Sequence, residues 1–189
     1  MHRLFIIRAL AGIGLLTAAG APVLSQAQSA RDVLERFCEL DAHGEQLAPD
    51  GWQNVVALFA TPGAPRRDEI TIVRDFVVSR PRLEKGKAEF YVEYIQLGSI
   101  ELSQLRFFPL PSVKVRAGFY VIRQSGPRSG GALGRVEEPV EWRIEGSVPE
   151  PHVTVDTAIR YTTELRANTR DATTRKNADK TLAALKALR

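Results

Sequence analysis

The sequence of 189 residues contains little cysteine and histidine. Cys38 is the only cysteine, so no disulfide can form within the chain, and it is predicted to be a small buried hydrophobe. Zinc sites usually take several histidine, cysteine or carboxylate ligands. His43 and His152 each stand alone in segments with loop or turn composition, which favours a surface position for both. The sequence therefore predicts no metal site and no cofactor.

The common catalytic and nucleotide-binding motifs are also absent. The sequence contains no glycine-rich phosphate loop, no H-E-x-x-H, no pair of cysteines and no G-x-S-x-G elbow. It has neither a dense basic stripe nor a module typical of nucleic-acid binding. We therefore expect no catalytic residue of these classes and no nucleic-acid partner.

No apolar run reaches the roughly 20 residues that a membrane-spanning helix needs. The longest one, residues 9–24, is interrupted by glycine and proline and follows a short basic start with Arg3 and Arg8. The small-x-small sequence of residues 25–27 then resembles a cleavage site. These features predict that residues 1–27 are a signal peptide, that the chain is periplasmic or secreted, and that it has no stable membrane insertion.

The charge is close to balanced. The chain carries 26 basic and 22 acidic residues, and Arg3 and Arg8 belong to the predicted signal peptide, so the remainder has a net charge of +2. Residues 156–189 are more basic, with eight basic and four acidic residues. Their charges are interspersed in sign, as on an ordinary solvated helix face. The alternative is that this segment contacts anionic cell wall or lipid.

The hydrophobic periodicity changes twice along the chain. It is helical from residue 30 and again after Pro49, it alternates in 69–79, 88–97, 113–123 and 140–144, and it returns to helical after Pro151. A shorter strand is predicted at 99–108, before the break at Pro109 and Pro111. Helices, then strands, then helices indicate an α+β fold. The predicted organisation is an α+β domain at 28–148 and a C-terminal helical extension at 149–189.

Two stretches carry a resemblance to a known family. LERFCELDAHGEQLAPDGWQNVVALF precedes the strands and VEWRIEG ends them, and this order is similar to the nuclear transport factor 2-like superfamily over residues 30–146. The resemblance implies a cone, in which a curved antiparallel sheet wraps around the N-terminal helices and leaves a pocket between them. It leaves both an enzymatic and a binding function open, because the superfamily includes ketosteroid isomerase-like enzymes, polyketide cyclases and non-catalytic binding modules.

The direction of the acidic side chains separates these functions. An isomerase of this type places a carboxyl group with a tuned pKa inside the cone. Strand alternation turns Asp75, Glu93 and Glu141 outward, although a β-bulge would invert the phase beyond it. The sequence therefore predicts a non-catalytic binding or interaction module.

A mostly apolar pocket for a small apolar ligand is the expected binding site. Its predicted lining residues are Trp52, Tyr94 and Trp142, although aromatic residues of this kind also fill ordinary cores. Asp41 and Arg74 lie on predicted inner faces, so we expect them to face each other as an ion pair or as the polar floor of the pocket. The alternative function is a small-molecule lyase, cyclase or isomerase that uses Tyr94 with Asp41.

The predicted outer face of the sheet is partly apolar. Val73, Val77, Tyr91 and Ile95 share it with the outward charges. Exposed apolar patches often mark association. The sequence therefore predicts either a homodimer through the sheet or coverage of this face by the C-terminal helices of the same chain.

Overall fold

A computed structural model describes residues 21–65, 68–125 and 140–189. Most of the predicted signal peptide, 1–20, lies outside the described residues. The elements are α1 (Ala21–Ala42), α2 (Gly51–Val56), β1 (Glu69–Val78), β2 (Arg82–Glu84), β3 (Lys87–Glu101), β4 (Arg106–Ser125), β5 (Val140–Ile144), β6 (His152–Thr154), α3 (Val155–Asn168) and α4 (Ala172–Lys186). The predicted α+β class is confirmed.

The described strands form one strongly curled mixed sheet in the order β5-β4-β3-β1-β6, with β2 paired to β3. All pairs are antiparallel except β1 with β6, which is parallel. The sequence did not indicate β6, because three residues are too few to show an alternating pattern. Its position matters, since it brings His152 beside β1.

The predicted separate strand at 99–108 is wrong. β3 continues through Gly98 to Glu101, the chain turns, and β4 then runs without interruption from Arg106 to Ser125. Pro109 and Pro111 are tolerated because the register changes here: β4 passes from Pro109 to Val113 while β3 moves only from Gly98 to Gln96. At such an irregularity a missing N–H costs no ladder hydrogen bond.

A bulge in β1 also overturns the predicted single phase of that strand. Val73 is opposite Gln96 and Phe76 is opposite Tyr94, so β1 has one more residue than β3 between these pairs. The extra residue reverses the side-chain phase. As a result Phe76 and Val78 join the cluster that contains Val73, and not the one that contains Ile70 and Ile72. Val73, predicted on the outer face, is buried in the core, while Arg74 is exposed.

The core consists of two hydrophobic clusters. One packs Leu34 and Phe37 of α1 against Phe90 and Tyr94 of β3. The other joins the far end of the sheet to the C-terminal helices, and its members include Ile70, Ile72, Ile100, Ala158 and Leu185. Because the neighbours Ile72 and Val73 enter different clusters, both faces of β1 are covered at this point.

The C-terminal helices begin at well-formed caps. The Thr154 side chain accepts a hydrogen bond from the Thr157 N–H at the start of α3, and the Asp171 side chain accepts one from the Thr174 N–H at the start of α4. These helices cover only part of the predicted outer face of the sheet. Val77 and Tyr91 stay exposed and Ile95 is half-buried.

Candidate functional site

Asp41, in the last turn of α1, is the centre of a buried polar cluster. Its side chain is 1% exposed. Gln46 Nε2 donates a 2.7 Å hydrogen bond to Oδ1, and the main-chain N–H of His152 donates a 3.1 Å bond to Oδ2. Gln46 can return to the helix end because Gly44 takes a left-handed conformation with φ of 82°.

The His152 ring, Tyr94 and Cys38 complete a group that we call the Asp41 cluster; its members are Asp41, Gln46, His152, Tyr94 and Cys38. The His152 ring stacks on the Tyr94 ring, with centroids 4.3 Å apart, and its Nδ1 lies 3.6 Å from Asp41 Oδ2. The Tyr94 hydroxyl lies 3.8 Å from Cys38 Sγ. The cluster thus joins α1, β3 and β6.

Burial dominates the electrostatics of this cluster. It raises the pKa of the Asp41 carboxyl, although the hydrogen bonds and charge of His152 and the bond from Gln46 oppose that rise. It raises the pKa of Cys38 to about 12 and also raises the pKa of Tyr94. A thiol and a phenol held in their neutral forms are poor nucleophiles.

Two atoms of the cluster keep unused hydrogen-bonding capacity. Gln46 Oε1 and His152 Nδ1 are buried and form no hydrogen bond with the described residues. Buried polar atoms are usually paired. His152 Nδ1 lies 3.6 Å from Asp41 Oδ2, which is beyond hydrogen-bond distance.

The structure brings together only part of the predicted pocket. Asp41 and Tyr94 belong to the Asp41 cluster. Trp52 and Trp142 are half-buried and pack at the margin of the hydrophobic cluster that contains Leu34 and Phe37 of α1. Arg123 lies over Trp142, 5.9 Å from the ring centroid.

The predicted contact between Asp41 and Arg74 is wrong. The bulge in β1 turns Arg74 to solvent, while Asp41 is buried. The groups that satisfy the carboxylate instead are the Gln46 side chain and the main-chain N–H of His152.

The predicted outward direction of the sheet carboxylates is confirmed. Glu93 forms an ion pair with Lys114 at 2.8 Å, and Glu141 pairs with Arg143. Asp75 is exposed and accepts a 2.8 Å hydrogen bond from the Phe76 N–H. None of these three faces the interior, so the sheet supplies no buried acid from these positions.

A ligand-sized cavity lies elsewhere, between the start of β4 and helix α4. We call it the β4–α4 cavity; its volume is about 620 Å³. Its lining residues are Arg106, Phe107, Pro109, Asn177, Lys180, Thr181, Ala184, Ala187 and Leu188. The sequence did not predict this cavity, although the four-residue spacing of Lys180 and Ala184 places these two side chains on one face of α4.

The predicted surface position is wrong for one of the two histidines. His43 is exposed as predicted, but His152 has a side-chain exposure of only 15%. The short parallel strand β6 turns it toward Tyr94. Within the described ranges, no three His, Cys, Asp or Glu side chains converge as a metal site.

No protein-family model, curated protein or solved structure matches the chain. Among the described residues, no helix combines the length and the apolar character needed to cross a bilayer. The functional interpretation therefore depends on the geometry of the Asp41 cluster and of the β4–α4 cavity.

Proposed function

We propose that the chain is a periplasmic or secreted, non-catalytic binding module that holds a small ligand in a mostly apolar cavity. The β4–α4 cavity is the observation that carries this proposal. Its volume of about 620 Å³ lies within the range of about 300–1,000 Å³ typical of ligand sites. Phe107, Pro109, Ala184 and Leu188 supply apolar walls. The features of residues 1–27 support the location.

The acidic groups of the chain support binding rather than catalysis. Glu93 and Glu141 are paired with cations on the surface. Asp41 is buried, and both of its oxygens accept hydrogen bonds from the protein itself. A general base must reach the proton that it abstracts. A carboxylate occupied in this way serves the fold.

Thermal unfolding in the presence of a chemically diverse ligand panel tests the proposal. A ligand at one hundred times its Kd stabilises the native state by about 2.7 kcal/mol. For a chain of this size that corresponds to a rise in Tm of roughly 5–10 °C. The matched control is Ala184→Trp, which fills the cavity with an indole ring. Ligands that raise the Tm of the native chain but not of this variant support the proposal, and equal shifts in both proteins would refute it.

A small-molecule lyase, cyclase or isomerase is the second candidate, and one observation favours it. The Asp41 carboxyl, the His152 ring and the Tyr94 hydroxyl meet in the interior, and burial raises the pKa of Asp41. Buried carboxyls with raised pKa values act as general acids or bases in known enzymes. This reading places the substrate at the Asp41 cluster, away from the β4–α4 cavity.

NMR distinguishes the two candidates by the place where a ligand acts. In a binding module of the proposed kind, a bound ligand shifts the resonances of Lys180, Thr181 and Ala184. In an enzyme of the alternative kind, a bound substrate shifts the resonances of the His152 ring and of the Asp41 carboxyl. Turnover that survives both Asp41→Asn and Tyr94→Phe would eliminate the second candidate.

The exposed sheet face supports a homodimer as a further proposal. Val77 is 60% exposed and Tyr120 is 43% exposed, and both lie beyond the area that the C-terminal helices cover. Arg116 lies 4.1 Å from the Tyr91 ring centroid and Lys87 lies 3.8 Å from that of Tyr120. Light scattering after size exclusion, at several concentrations, compares the native chain with Val77→Lys. A monomer at every concentration would refute the dimer.

Membership of the nuclear transport factor 2-like superfamily is likewise a proposal. It is supported by the curled sheet that follows two N-terminal helices and packs its concave core on α1. An experimental structure of this chain, superposed over residues 30–146 on an established member of the superfamily, would test it.

A further inference from the structure

The polar part of the β4–α4 cavity is cationic. Among the described residues that line it, Arg106 and Lys180 are charged and none carries a carboxylate. Neither cation forms an ion pair with a described residue, although Arg106 lies 5.1 Å from the Phe108 ring. Two ion pairs of the C-terminal segment join Arg166 to Asp179 and Arg189 to Asp156, so these two carboxylates are already engaged by other cations. The positive charge of Arg106 and Lys180 is therefore not compensated by an ion pair with a described residue.

The neutral polar groups of the cavity are largely used by the fold. Thr181 Oγ1 accepts a 3.0 Å hydrogen bond from the Phe107 N–H and donates a 2.8 Å bond to the Leu105 carbonyl. Asn177 Nδ2 donates to the Gln104 carbonyl at 3.2 Å. The free donors are therefore mainly those of Arg106 and Lys180. Guanidinium and ammonium groups are donors only, so they select a ligand with oxygen acceptors and negative charge.

The cavity is also asymmetric along α4. Lys180 and Ala184 lie about one turn, or roughly 6 Å, apart along α4, and Leu188 lies in the turn that follows the end of the helix at Lys186. The first is charged and the other two are apolar. On the opposite wall Arg106 precedes Phe107 and Pro109. Hydrogen bonds from Asn177 to Gln104 and from Thr181 to Leu105 indicate that the two walls run in the same direction. Both walls are therefore cationic at one end and apolar at the other.

We infer that the β4–α4 cavity binds an amphipathic anion, with an oxyanion head between Arg106 and Lys180 and a hydrocarbon stem along Ala184 and Leu188. This inference rests on the proposed ligand-binding function and names the chemical class of the ligand. A free carboxylic acid and an anionic lipid share this chemistry. The experiment separates these sources.

Isothermal titration of the full mature chain with decanoate, 1-decanol and decyltrimethylammonium provides the first test. These probes share one stem and differ in head charge. Each exposed ionic contact contributes up to about 1 kcal/mol, or about fivefold in Kd, so two cations make decanoate on the order of tenfold or more tighter than decanol. The cationic probe binds more weakly than decanol. Equal affinities for all three would refute the inference but keep the proposed function, whereas no binding of any probe would refute both.

Variants locate the binding site without relying on the probe series alone. Arg106→Gln and Lys180→Gln should each weaken decanoate binding about fivefold and leave decanol binding unchanged. Lys176→Gln is the matched control, since Lys176 is an exposed cation of α4 outside the cavity. Ala184→Trp should abolish binding of both probes. Binding to anionic vesicles without binding of monomeric decanoate would overturn the inference in favour of surface association.

Discussion

Asp41 Oδ2 accepts a hydrogen bond of 3.1 Å from the main-chain N–H of His152, a residue 111 positions later in the sequence. The bond ties the end of α1 to β6, the edge strand that leads directly into α3. Through Asp41, the N-terminal helix and the C-terminal helical pair are fixed to the same part of the sheet. Several consequences of this link can be measured.

Replacing Asp41 with alanine should destabilise the native state by about 3 kcal/mol. The change leaves the buried Gln46 amide and the His152 N–H without their acceptor, and each unsatisfied donor costs about 1–3 kcal/mol. Urea unfolding measures the difference. Asp50→Ala is the matched control, because Asp50 is exposed and makes no capping hydrogen bond. A loss no larger than that of the control would contradict a structural role for Asp41.

The stability contributed by Asp41 should decrease as the pH rises. Burial raises its native pKa above the ordinary value of 3.8, so between these two values the native state binds more protons than the unfolded chain. The free energy of unfolding therefore falls with rising pH through this interval and is constant above the native pKa. The Asp41→Asn variant cannot ionise at this position, so its free energy of unfolding lacks this pH dependence. Urea unfolding of both proteins between about pH 4 and pH 8 should show that the stability of the unmutated chain declines relative to that of the variant. If the free energy of unfolding of the unmutated chain, less that of the variant, stays constant or grows with pH, the raised pKa is contradicted.

Cys38 should be unreactive in the native chain. Its pKa of about 12 leaves about one thiolate in ten thousand at pH 8, and the residue is 2% exposed. Labelling with a disulfide reagent should therefore be complete within minutes in urea but slower by several orders of magnitude in native buffer. Rapid labelling of the folded protein would show that the Asp41 cluster is accessible, and it would strengthen the enzymatic alternative.

The sequence predicted the elements better than the faces of the strands. The alternating and helical periods located β1, β5 and the C-terminal helices, because their patterns repeat over a full face. The failures occur where the register shifts. The bulge in β1 leaves Arg74 outward and puts Phe76 on the same side as Val73, and Leu97 is an extra residue of β3 between the pairs Ile72–Gly98 and Val73–Gln96. Bulges depend on the partner strand, so a single strand's pattern does not reveal them.

The candidate site was less predictable for the same kind of reason. Asp41 and Tyr94 were identified from their own helical and strand phases, and both are buried. His152 was expected at the surface, since a lone histidine beside Pro151 carries no periodic signal. Only the pairing of β6 with β1 places it against Tyr94. The β4–α4 cavity likewise arises from the docking of two elements whose separate sequences do not encode their distance.

Gly98 should not tolerate a side chain. Its φ of 154° is rarely adopted by other residues, and an added Cβ would lie 2.5 Å from both a Phe107 ring carbon and the Phe108 carbonyl oxygen. Gly98→Ala should therefore cost about 2 kcal/mol or more, because overpacking and backbone strain act together. Gly118→Ala in the same sheet is the matched control. Its Cβ would lie 3.7 Å from a Tyr91 ring carbon, an ordinary contact, so this variant should change the free energy of unfolding by less than about 0.5 kcal/mol. Since Phe107 also lines the β4–α4 cavity, Gly98→Ala should weaken decanoate binding while Gly118→Ala leaves it unchanged. Equal stability of the two variants would contradict the close approach of β3 and β4 at this point.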